Sequence, residues 1–145
     1  MSVGFQTVQD ALENYKSAIY EQDAARFLAT FAADIHIYDC WESWACTGIS
    51  AWKEIVAAWF AGLREEGVVL RTDFADLVVE SNANLAFVRC AITFAAYNKS
   101  GEKLREITNR FTFGLRNEQE SWVIAHAHSS LPISLETGKG LFDVR

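Results

Sequence analysis

The chain has 145 residues, half of them hydrophobic and 13% aromatic, which suits one domain with its own core and excludes an intrinsically disordered chain. Its formal charge is −6, with no Lys/Arg cluster, which argues against nucleic acid as a partner because that contact needs basic surface to displace counterions. No apolar run approaches the ~18 residues of a membrane span, so no membrane association is expected, and residues 1–145 are read as a single domain.

The opening "MSVGFQTVQDALENY" has neither a basic n-region nor an apolar h-region, which predicts no signal peptide. Three cysteines, Cys40, Cys46 and Cys90, cannot all pair within one chain, and Cys40 and Cys46 lack a second pair at zinc-ligand spacing. Reduced thiols and a cytoplasmic location are therefore expected.

Phe5, Val8, Leu12, Tyr15 and Ile19 recur at three- and four-residue steps and predict an amphipathic helix. Asp23 is placed to cap a short second helix, "AARFLATFA". "DIHIYD" alternates, with Ile35, Ile37 and Asp39 on one face and His36 and Tyr38 on the other, and predicts a short strand. After the connection "CWESWACTG", a third helix is expected, with Ser50 as N-cap, Trp52, Ile55, Val56, Trp59 and Leu63 on its apolar face, and Gly62 and Gly67 marking its end.

Four long strands follow, separated by the turn signals "SNAN", "NKSG" and "NEQE" and stopped by Pro132. Turns at that spacing predict an antiparallel meander, and strands this long predict a strongly twisted, curved sheet. The expected fold class is α+β, with N-terminal helices packed on a strongly curved antiparallel sheet and a cone left between them. In the tail, Leu141, Phe142 and Val144 suggest that it docks on the domain. Alternation puts Trp122, Ile124, His126, His128 and Ser130 on one face of the last strand, and Thr108, Arg110 and Thr112 on one face of its neighbour. Neither face of these strands is plainly polar, so a second copy of the chain is expected to cover the outer face as a homodimer.

The segment "NRFTFGLRNEQESWVIAHAHSSLP" resembles the end of SnoaL-like and ketosteroid-isomerase-like proteins of the nuclear transport factor 2-like (NTF2-like) superfamily. The resemblance rests on Arg110 and Thr112 before a turn, then Trp122, His128, Ser130 and Pro132, together with the "YD" strand and a helix start at Gly48 and Trp52. It implies an NTF2-like cone along essentially the whole chain, on a scaffold that carries many functions. Relatives of the kinase association domain belong to the same branch, and their pockets carry arginines.

The cone makes sense of two tryptophans in a connection. Trp41 and Trp44 would be wall or lid of a pocket, or else cap the core or meet a partner copy. Asp39, turned inward, would act as general base or acid, or would be a solvated strand-end Asp bonded to loop N–H groups. His128, in the matching motif, is the second catalytic candidate, with His126 beside it, or it is a structural histidine. Arg110 would anchor a carboxylate or enolate oxygen, or pair internally with Asp39, Glu106 or Asp76. Trp52, Tyr97, Thr108 and Ser130 complete the ligand-binding candidates. A fourth metal ligand is missing, so no metal is expected, and no motif for a cofactor, phosphate or nucleophile elbow occurs. The expected function is binding of a small acidic or carbonyl-containing ligand. The alternatives are a cofactor-free isomerase, cyclase or dehydratase-like enzyme, and a structural dimerisation domain.

Overall fold

The computed structural model describes residues 4–142, so Val144 lies outside the described residues. Helix α1 (Val8–Glu21) starts at a reciprocal cap: Asp10 N–H donates to Thr7 Oγ1 at 3.0 Å, and Thr7 N–H donates to Asp10 Oδ2 at 3.2 Å. Its stripe of Val8, Leu12, Tyr15 and Ile19 is buried as the spacing predicted. Helix α2 (Ala24–Leu28) is capped by Asp23, which accepts from Arg26 N–H at 3.1 Å. The helix is shorter than expected, and Phe31 already opens strand β1 (Phe31–Tyr38). A two-residue strand β2 (Cys46–Thr47) pairs with β1.

Helix α3 (Ile49–Glu66) begins one residue before Ser50, so Ser50 lies inside the first turn and does not cap it. Gly48 and Gly67 flank the helix at φ values of 91° and 78°, backbone that favours glycine. Gly62, expected at the helix end, sits within it.

The meander follows as β3 (Val69–Ser81), β4 (Leu85–Tyr97), β5 (Lys103–Glu118) and β6 (Ser121–Ser130), each antiparallel to the next. The sheet order is β2-β1-β6-β5-β4-β3. Strand β1 lies parallel to β6, so the sheet is mixed rather than antiparallel throughout, and it is curved and unclosed. A parallel neighbour needs a long crossover, and here α3 with the whole meander supplies it.

The three helices pack on one face of this sheet, which is an α+β arrangement. Phe27 stands at the centre of the core, 5.0 Å from the Tyr15 ring, 5.1 Å from Phe31 and 5.7 Å from Phe60. Among the described residues, no helix is long and apolar enough to cross a membrane.

The last strand departs from simple alternation. Leu115 pairs with Ile124, but Gly114 pairs with His126, so Ala125 is an extra residue in β6. This bulge reverses the facing of everything after it. Trp122 and Ile124 are buried toward the helices, and so are Ala127 and Ser129, while His126, His128 and Ser130 turn to the outer face.

Candidate functional site

Between α3 and the helix-facing side of the sheet lies a cavity of about 680 Å³, within the range of about 300–1,000 Å³ usual for small-molecule sites. One face of α3 supplies Ile55, Trp59 and Gly62, and the sheet supplies Phe94, Phe111 and Phe113. Ile55 is 43% exposed because it faces this space and not the core.

Polar groups gather where β1, β5 and β6 come together. Asp39 follows the last residue of β1 and lines the cavity, on the same side as Ile35 and Ile37. Ser129 hydroxyl donates to Asp39 Oδ1 at 3.1 Å, and Cys40 N–H donates to Ser129 Oγ at 3.1 Å. Asn109 Nδ2 donates to Cys40 Sγ at 3.2 Å. Tyr15 lines the same cavity, is buried, and has no hydrogen-bond partner for its hydroxyl among the described residues. Burial above all, then the charge of Asp39, then Cys90, push the Tyr15 pKa well up, so its hydroxyl stays protonated and remains a donor. Two other cavity-lining residues, Trp52 and Asn109, carry a buried polar atom without a partner, Nε1 and Oδ1 respectively.

The thiols are not activated. Burial pushes Cys90 up to about 11, and burial also raises Cys40 and Cys46, with the Asp39 charge adding to both. A thiol held protonated is a poor nucleophile. Among the described residues, no group of three or more His, Cys, Asp or Glu is arranged to hold a metal ion.

At the other end of the cavity, Arg105 on β5 grips Glu66 in the last turn of α3 through a bidentate fork, at 2.6 and 2.7 Å. That hydrogen bonding holds the Glu66 carboxyl below its ordinary range and raises Arg105.

The structure places Asp39, Trp41 and Trp52 on the cavity, but separates the other predicted residues from it. Arg110 is exposed on the outer face, its Nε donating to Ser130 Oγ at 3.1 Å. Thr108 shares a hydrogen bond of 2.7 Å with Thr93 on that face. His126 stacks on His36 with ring centroids 5.0 Å apart, and His128 packs edge-on against Tyr38. The expected convergence of Asp39, Arg110 and His128 in one hollow is therefore corrected. For the histidines and Ser130 the bulge at Ala125 is the cause, and Arg110 follows the outward face of β5. Tyr97 lies under Arg71, whose guanidinium is 4.3 Å from the ring centroid, and does not line the cavity. Trp44 is 91% exposed and does not line the cavity, whereas Trp41 stacks on Phe142 at 5.7 Å.

Sequence reasoning missed Tyr15, Asn109, Ser129 and the Arg105–Glu66 pair. A signal existed for Asn109, a lone amide on the inward alternation among Ile107, Phe111 and Phe113. Tyr15 was hidden in a helix stripe, where a polar-tipped aromatic looks like any core residue.

A SnoaL-like domain family profile matches residues 8–134. No functionally curated protein matches the sequence significantly. Among solved structures, an NTF2-like protein of unknown function from Pseudomonas putida is 24% identical, covering 95% of this chain and 93% of that one, with a TM-score of 0.79. A ketosteroid isomerase-like protein from Erwinia carotovora is 23% identical, covering 86% and 95%, with a TM-score of 0.63. A protein of unknown function with a cystatin-like fold from Nostoc punctiforme is 15% identical, covering 88% and 90%, with a TM-score of 0.66. At these identities the likeness is one of fold. With a profile matched along most of its length, the chain belongs to the SnoaL-like domain family.

Proposed function

We propose that the chain binds a small, largely apolar carbonyl compound in the cavity and moves a proton on it without a cofactor. The observation that carries this reading is the pairing of an unpartnered, protonated Tyr15 hydroxyl with the Asp39 carboxylate in one apolar space. Asp39 takes a proton from the carbon beside the carbonyl and returns it to the far carbon of the resulting dienolate, so that the double bond migrates, and Ser129 fixes its orientation through Oδ1. Tyr15 donates a hydrogen bond to the carbonyl oxygen as charge develops there, and that bond strengthens in a water-poor site. Arg110 and His128 lie on the other face and have no part in this step.

Membership of a family with ligand-binding and isomerase or cyclase members supports the class of reaction. The test is a panel of unsaturated ketones followed by the ultraviolet change that accompanies double-bond migration. Asp39→Asn and Tyr15→Phe should each lower turnover about 10²–10⁴-fold while ligand-induced stabilisation persists. A panel that raises the melting temperature but is never turned over leaves a binding protein without catalysis. A panel that does neither ends the cavity reading.

A homodimer through the outer sheet face accompanies the proposal. Leu85 and Phe87 expose 57% and 44% of their surface on the helix-averted side of β4, and such apolar surface favours a cover. Sedimentation of the intact chain decides it, and a monomer at all concentrations removes this part alone.

A further inference from the structure

The cavity is longer than a proton-transfer site needs. Its polar groups lie at two separate places. Asp39, Asn109 and Ser129 cluster at one end, and Arg105 with Glu66 stands at the other. From Asn109 to Arg105 is four residues along β5, or about 13 Å at ~3.3 Å per residue. Along α3, the lining runs from Ile55 to Glu66, eleven steps of ~1.5 Å, or about 16 Å. The space between is walled by Trp59, Phe94, Phe111 and Ile107.

Arg105 is the guanidinium that lines this cavity, and it already holds a carboxylate in a fork. Both partners of that ion pair are about half exposed, 55% and 42% at the side chains. A pair so exposed is screened by water and adds little, so a competing carboxylate can replace Glu66 at little cost. Glu106, which also lines this end, is engaged by Lys103, so it does not leave an unpaired negative charge in the way.

We propose that Arg105 is the anchor for a terminal carboxylate of the ligand, at the far end of the cavity from the carbonyl group held at Asp39 and Tyr15, and that Glu66 occupies the guanidinium as a stand-in until the ligand arrives. The ligand class is an apolar keto acid with its two polar groups at opposite ends. This inference rests on the proposed carbonyl site, which it extends by a second subsite. The bidentate geometry suits a planar carboxylate, and arginine makes that match better than lysine.

Three probes test it by calorimetry on the full chain: an aryl ketone with an alkanoic acid tail that spans the cavity, the methyl ester of the same compound, and the ketone without its tail. The acid should bind about tenfold tighter than the ester, a difference of about 1.4 kcal/mol. Arg105→Gln should abolish that preference and leave the tail-less ketone unchanged. Glu66→Gln should tighten acid binding by up to about fivefold, because it removes the internal competitor, and leave ester binding as it was. A general loss of fold would instead weaken all three probes together, and circular dichroism of each variant identifies that case. Equal binding of acid and ester overturns the inference but leaves the carbonyl site standing, as does weaker acid binding in Glu66→Gln. Silence from all three probes overturns the carbonyl site and the anchor with it.

Discussion

At the residue scale, the clearest contrast is between two aromatic residues that touch each other. Phe27 is fully buried, and its ring meets Tyr15, Phe31 and Phe60. Phe27→Ala should cost about 3–5 kcal/mol in urea unfolding, because it removes apolar contact and leaves a void. Tyr15 is 5% exposed, and its hydroxyl has no protein partner among the described residues on a side chain that lines the cavity. A hydroxyl without a protein partner adds no hydrogen bond to the fold. Tyr15→Phe should therefore melt at or above the temperature of the parent chain, while losing activity. A fall of a kcal/mol or more would mean that the hydroxyl is structural. Sequence pattern reached part of this. The stripe identified Tyr15 as inward, and alternation turned Asp39 inward with Ile35 and Ile37. It said nothing of which inward residues border empty space, because periodicity reports a face and not what that face meets. Trp44 shows the same limit in a connection, where no periodicity operates at all.

Among the secondary-structure elements, β6 decides where the chemistry sits. Alternation counted from Trp122 carries His126 and His128 inward, and that count is right as far as Ile124. One extra residue at Ala125 then exchanges the faces, bringing Ser129 to Asp39 and sending both histidines to the outer side. A bulge leaves little trace in a single sequence. Gly114 opposite His126 is compatible with it, since the absent side chain leaves room where the strand bends, but glycine in a strand has other causes. The helices, turns and meander were legible because each carries several agreeing signals: caps, periods and turn residues. Deletion of Ala125 tests the assignment. Without the extra residue, simple alternation carries Trp122, Ile124, Ala127 and Ser129 to one face and both histidines to the other. The deletion chain should therefore unfold cooperatively by circular dichroism, as should Ala125→Ser. A deletion variant that is insoluble or lacks cooperative unfolding would show that the bulge does more than exchange the faces.

For the molecule as a whole, the bulge has an electrostatic consequence. All three histidines of the sequence, His36, His126 and His128, stand together on the outer face with Tyr38 among them. His126 Nδ1 lies 2.9 Å from the His36 carbonyl and 3.0 Å from His36 Nδ1. When His126 Nδ1 carries a proton it can donate to both, and His36 Nδ1 then has to be the bare, accepting nitrogen. Burial, and then the neighbouring histidines, lower the His126 pKa below its ordinary 6.5, against the opposing pull of the His36 carbonyl. The unfolded chain consequently binds more protons than the folded one between the lowered value and 6.5. Stability should rise with pH through that window, be complete above it, and be lost as acid is added from 6.5 downward. The ion-paired carboxylates act lower. Asp34, hydrogen-bonded by Arg116, and Glu66, gripped by Arg105, sit below their ordinary 3.8 and 4.5, so their contribution is lost only as pH falls through and below those values. A melting-temperature profile from about pH 3 to 8 should show two separate declines on acidification. His126→Gln should remove the upper decline and spare the lower one. If a second copy covers this face, the upper decline should also shrink as protein concentration rises, because association of the native form adds stability by mass action. An upper decline that is unchanged in His126→Gln would place the responsible proton elsewhere.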